Sequence, residues 1–213
     1  MGPSSRPYRM TRRVEQVDQT RQRIVDAAVQ LHGSLGPART TIAGIAEAAG
    51  VTRVTVYRHF PDEETLYGAC SAHWAAAQQL PDPSAWGLAT DPFERLAIGL
   101  SDIYRFYRDG SSMLVGIYRD WNALPEGQRR ALTDQNNSYR KVLREPFGTG
   151  GRHGRLDAVI GHASSFWTWH SLCRDLDLSN GDAVDLMIGL AAAATANGAS
   201  SIGSAGRAAD DRR

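Results

Sequence analysis

Residues 40–66 read TTIAGIAEAAGVTRVTVYRHFPDEETL, and two short helices joined by a turn fit inside them. Thr40 or Thr41 precedes the apolar spacing Ile42, Ile45 and Ala49, so a threonine hydroxyl is placed to cap the first helix. Gly50 then supplies the left-handed backbone that a tight turn after a helix requires. Thr52 can cap the second helix, and Pro61 closes it. With Val51, Val56 and Phe60 turned to a core, Thr52, Arg53, Thr55, Tyr57, Arg58 and His59 are left outside. That is helix-turn-helix patterning, in which the second helix enters the DNA major groove. The outward residue types suit contact with a duplex, since arginine pairs bidentately with guanine, threonine and valine methyls touch thymine, and Tyr, Thr and His bond phosphates.

Working outward, Ile24, Ala28, Leu31 and Leu35 make one face of a helix beginning near Asp18 and stopped by Gly36 and Pro37. After the motif, Asp62, Glu63 and Glu64 suit the positive end of a fourth helix over 62–80. The stretch PDPSAWGLATDP (81–92) reads as a loop, and Asp91, Pro92 and Glu94 start a helix burying Leu96, Leu100, Ile103 and Tyr107. Further helices are expected over 113–121, from Pro125 to about Arg144, over 156–175, and over 183–197 behind a Ser179–Asp182 cap. The glycine-rich FGTGGRHGR (147–155) follows no strand and matches no phosphate-cradle pattern, so it reads as a loop.

No pair of strands is legible, and an all-α protein is expected. The organisation it implies is a flexible basic arm (1–17), a three-helix DNA-binding domain (18–61), a larger helical regulatory and dimerisation domain (62–198) and a disordered tail (199–213).

The formal charge of +1 hides an asymmetry. Residues 1–60 hold nine arginines against four acidic residues, whereas the remainder carries a surplus of four acids. A basic first quarter suits a polyanion, because phosphate attraction depends on local charge. Apolar runs fall short of the ~18 to 20 residues of a membrane span. The first residues lack the apolar core of a secretory leader, and Cys70 and Cys173 are too few for a disulfide framework, so a reduced cytoplasmic protein is expected.

The stretch 40–66, together with TRQRIVDAAVQLHGSLG (20–36), resembles the helix-turn-helix signature and first helix of the TetR (tetracycline-repressor) family of transcriptional regulators. The resemblance implies that Thr41, Tyr57 and His59 contact phosphates and that Arg53, Val54 and Thr55 read bases. It also implies a regulatory body that senses a ligand and dimerises. Two positions depart from the pattern: Glu63 stands where Lys is frequent, and Val54 where Gly is frequent.

Aromatic residues concentrate in the body, and a sensing bundle needs an apolar cavity with a few polar groups. Tyr104, Tyr107, Met113, Trp121, Trp167 and His170 are the candidate lining, pointing to a hydrophobic or aromatic effector, although aromatics at helical spacing more often fill a core. His170 and Cys173 are two potential ligands without an evident third, and no nucleophile elbow or zinc-protease motif occurs. No enzyme, cofactor or metal site is therefore expected. The expected protein is a homodimeric regulator released from a pseudo-palindromic double-stranded DNA operator by a small effector. The runner-up is a helical protein that binds or modifies a small molecule without reading DNA.

Overall fold

A computed structural model describes residues 5–148 and 154–205, with side chains described over 14–148 and 154–196. Among the described residues the regular structure is helical throughout: α1 (Ser5–Ser34), α2 (Ile42–Ala48), α3 (Arg53–His59), α4 (Glu63–Ala76), α5 (Pro83–Trp86), α6 (Pro92–Asp109), α7 (Ser111–Arg119), α8 (Glu126–Arg144), α9 (Gly154–Ala163), α10 (Phe166–His170) and α11 (Asn180–Ala205). None of these is long and apolar enough to cross a membrane.

Caps written in the sequence form as local chemistry demands. Thr41 Oγ1 accepts from Gly44 N at 3.1 Å, Asp62 Oδ1 from Thr65 N at 2.7 Å, and Asp91 Oδ1 from Glu94 N at 2.8 Å. Each satisfies one amide that the first helical turn leaves without a partner. Ser179 and Asp182 close a reciprocal cap ahead of the last helix: Asp182 N donates to Ser179 Oγ at 3.1 Å, and that hydroxyl donates back to Asp182 Oδ2 at 2.6 Å.

Four expectations are corrected. Residues 5–17, expected as a flexible arm, are the first turns of α1. They contain good helix formers, and a helix already nucleated extends cheaply; exposed Val14 and Val17 meet no core and so give no periodic signal. The loop 81–92 contains α5, anchored by Trp86, whose buried indole Nε1 donates to Asp102 Oδ2 at 2.9 Å. The single helix expected over 156–175 is broken at Ser164 and Ser165 between α9 and α10, and a π-turn follows over Ser171–Asp175. The last helix continues past Gly198 to Ala205, while 206–213 of the expected tail and 149–153 of the glycine-rich stretch lie outside the described residues.

Two compact units form, Met1–Gln79 with Gly110–Ala131, and Leu80–Asp109 with Leu132–Arg213. In the first, Ile24, Val25 and Ala28 of α1 meet Ile45, Ala46, Val56, Phe60, Leu66 and Cys70 in one core. Helix α7 belongs to this unit and lies close on the end of α1, where a Cβ at Gly116 would come within 3.3 Å of Gly36 Cα. Arg119 Nη2 donates to Leu35 O at 3.0 Å, and Asp120 Oδ2 accepts from Ala38 N at 3.1 Å. In the second unit α6 packs on α11, and Tyr107, Phe166 and Trp169 form an aromatic centre with ring separations of 5.3 to 5.9 Å.

Candidate nucleic-acid interface

The turn between α2 and α3 rests on Gly50, whose φ of +65° lies in the left-handed region that side chains resist. Val51 N donates back to Ala46 O at 2.9 Å, locking the chain as it leaves α2. Thr52 then starts α3: its Oγ1 accepts from Thr55 N at 3.2 Å and lies 3.0 Å from the Thr55 hydroxyl. At the far end Phe60 N donates to Val56 O at 2.9 Å. Val56 and Phe60 are buried and fix the rotation of the helix against the core.

That rotation sets the opposite face. Arg53, Val54, Tyr57 and Arg58 fall within an arc of about 140° at 100° per residue, roughly opposite Val56. All four are exposed, Val54 at 79% and Tyr57 at 49%. Thr41 and Thr52 are exposed at the two helix starts, while the half-buried Thr55 and His59 lie about 60° and about 100° past the Arg58 edge of the arc. All eight candidate DNA-contacting residues are thus exposed or half-buried on one small helical pair. A projecting Val54 isopropyl is a methyl surface suited to thymine, and the arginines are suited to guanine or phosphate.

The charge around α3 is one-sided. Burial, then the nearby Arg58 and Arg21 guanidinium groups, hold His59 below the usual imidazole range, so its neutral ring keeps one N–H to donate. Arg21 Nη1 reaches His59 O at 3.5 Å, and Arg23 Nη1 stands 4.0 Å from where a Cβ at Gly50 would be. Sequence patterning alone does not single out these two cations beside the reading helix. Their position relative to the buried Ile24 and Ala28 is the signal that could have found them. Beyond the cap at Asp62, exposed Glu63 and Glu64 make the first turn of α4 acidic.

The six candidate lining residues of the body divide between the two units, four in the second and two in the first. Tyr104 and Tyr107 are buried in the second unit, their hydroxyls donating to Ala163 O at 2.8 Å and Ser164 O at 2.9 Å. In the same unit Trp167 is 45% exposed and sets its ring edge-on to His170, whose Nδ1 lies 3.4 Å from Asp175 Oδ1. Met113 and Trp121 belong to the first unit. Met113 is buried, and Trp121 is half-buried and stacked on Tyr118. Cys173 Sγ donates weakly to Ser179 O, and among the described residues no group of three His, Cys, Asp or Glu side chains is arranged for a metal.

A capped helix pair joined by a left-handed glycine, with a polar and basic arc on its second member, defines a helix-turn-helix DNA-binding domain on an all-α chain. Residues 24–70 match the family described as "Bacterial regulatory proteins, tetR family". Over this segment, about a fifth of its length, the chain is similar to that family. It is 46% identical over 61 residues to the HTH-type transcriptional regulator TtgR of Pseudomonas putida, covering 28% of this chain and 29% of that one. It is 42% identical over 59 residues to the HTH-type transcriptional regulator AcrR of Shigella flexneri, covering 27% of each chain. A longer match, 32% identical over 101 residues, reaches 45% of this chain and 46% of the probable acrEF/envCD operon repressor of Escherichia coli K12. The chain thus spans between about a quarter and a half of the length of these relatives. The crystal structure of a tetR-family transcriptional regulator from Streptomyces coelicolor shares the fold, with a TM-score of 0.53 at 21% identity over 86% of this chain and 83% of that one.

Proposed function

We propose that the protein is a cytoplasmic transcriptional regulator, acting as a repressor, that reads a pseudo-palindromic operator through α3. The observation that carries this reading is the exposed arc of Arg53, Val54, Tyr57 and Arg58 on a helix whose rotation is fixed by Val56 and Phe60. Thr41, Tyr57 and His59 bond flanking phosphates, and Arg53, Val54 and Thr55 read base edges. Residues 18–61 serve as the reading head, and 62–198 as the regulatory and dimerisation body.

Dimerisation runs through α9 to α11, where Leu186 and Leu190 expose apolar side chains one turn apart. A two-fold pair of heads is what a palindromic operator matches. A small hydrophobic or aromatic effector releases the operator by favouring a state whose recognition helices no longer fit successive major grooves, with α4 as the lever. The deciding experiment selects DNA from a random pool with the purified protein. The selected site is then titrated between roughly 50 and 200 mM salt against a scrambled one. A regulator shows both a steep salt slope and a specificity ratio of ~10³ or more. Equal affinity for both DNAs sinks the reading and returns the protein to a helical small-molecule binder.

A further inference from the structure

Within the first unit, His32 of α1 and Tyr67 of α4 hold their rings 4.8 Å apart. A cavity of about 60 Å³ opens beside this pair, space for roughly four water molecules. Its apolar wall comes from Ile42 and Ile45 of α2 and Leu66 of α4, and its polar groups include Thr40, Glu63 and Tyr67. Tyr67 is 7% exposed, and its Oη is buried without a hydrogen-bond partner. A buried hydroxyl in that state favours an occupant able to bond it.

The lining decides what that occupant is. Glu63, Leu66 and Tyr67 are spaced i, i+3 and i+4, so one face of α4 presents a carboxylate, an apolar contact and the unpaired hydroxyl. No lysine or arginine lines the cavity. Burial pushes the His32 imidazole down to about 4, so its ring is uncharged at neutral pH. The Thr40 hydroxyl proton is committed to Gly36 O at 2.9 Å. An anion would meet the Glu63 carboxylate with no cation among the lining residues to offset it, and a neutral alcohol would gain no charge-assisted bond from it. A protonated amine answers it, donating to Glu63 and to the lone pairs of Tyr67 Oη.

We propose that this cavity binds a small primary ammonium ion with a short alkyl chain, its nitrogen between Glu63 and Tyr67 and its carbons against Ile42, Ile45 and Leu66. The test titrates n-propylammonium chloride into the full chain without DNA. Isoleucine methyl and backbone amide NMR signals are followed, with sodium chloride at equal ionic strength, 1-propanol and sodium propionate as controls. Saturable shifts at Ile42, Ile45 and Tyr67 are expected with the ammonium alone. Glu63→Gln should weaken binding roughly tenfold, the worth of one charge-assisted hydrogen bond, and Tyr67→Phe should weaken it several-fold. Glu63 is exposed and Tyr67→Phe removes only the unpartnered oxygen, so both variants keep the fold, as unchanged signals away from the cavity would register. The proposal is overturned by absence of saturable shifts, by equal binding of propanol, or by unchanged affinity in Glu63→Gln. Because no DNA is present, that failure leaves the operator-binding reading standing, and failure of the operator reading leaves this site standing.

Discussion

Arg21 of α1 lays its guanidinium over the ring of Phe60, with Cζ 4.2 Å from the ring centroid. The contact ties the first helix to the residue that ends the reading helix, so the rotation of α3 is held from outside as well as by burial. Arg21→Ala is expected to lower stability by about 0.5 to 1 kcal/mol, the range of an exposed cation–π pair. A double-mutant cycle with Phe60→Leu, followed by chemical denaturation, measures the coupling; a coupling near zero would show that the stacking contributes nothing.

Arg53→Ala should relax discrimination between matched and mismatched operators by ~1 to 3 kcal/mol. Tyr57→Phe should weaken binding to both by the same factor, since a phosphate contact carries no sequence information. Equal losses on both DNAs for Arg53→Ala would remove it from the base-reading set.

His32 makes stability depend on pH in a defined window. Burial holds its imidazole at about 4 in the folded chain against 6.5 ordinarily, so below 6.5 the unfolded state takes up a proton that the folded state refuses. The contribution is complete above about pH 7 and is lost as pH falls toward 4, amounting to about 2 kcal/mol between pH 7 and pH 5. Melting temperatures across that range should fall for the parent chain and flatten for His32→Gln.

Glycines at two helix positions should respond oppositely to alanine. At Gly99 a Cβ would overlap Leu143 Cδ2 and press within 3.2 Å of the Trp86 ring, both side chains being fully buried. Gly99→Ala is therefore expected to destabilise by about 1 to 3 kcal/mol. Gly68 in α4 has nothing within 4 Å of the same position, and Gly68→Ala should stabilise by roughly 0.5 to 1 kcal/mol. Thermal melts of the two variants moving in the same direction would contradict the packing described.

Leu190→Glu tests the proposed dimer face. A charge at this exposed position costs the lone chain little and a close apolar interface much. Light scattering should show dimers for the parent and monomers for the variant; a parent monomeric at micromolar concentration rules the interface out.

The parts of the molecule legible in sequence are those set by short-range chemistry. Thr41, Thr52, Asp62, Asp91 and Ser179 accept from amides two or three residues on, and Gly50 takes the left-handed turn it alone takes cheaply. The parts that escaped depend on partners far along the chain. Helix α5 is anchored by the Trp86 bond to Asp102, sixteen residues later. The break after α9 leaves Ala163 and Ser164 carbonyls to be bonded by Tyr104 and Tyr107, nearly sixty residues earlier. The aromatic set divides between the two units, a division not legible in residue type, which indicates which side chains leave water and not which unit they join.

The order in which the chain builds its first compact unit has a practical side. The polypeptide leaves that unit after Gln79 and returns at Gly110, bringing back α7 and the Arg119 and Asp120 contacts to the end of α1. The reading head is therefore not a cassette that one junction can transplant. A fragment ending at Gln79 would keep α2 and α3 but lose the cover over His32 and Gly36. A chimaera that exchanges operator specificity with another regulator would have to carry 110–131 along with the first 79 residues, as two segments with three junctions rather than one segment with one.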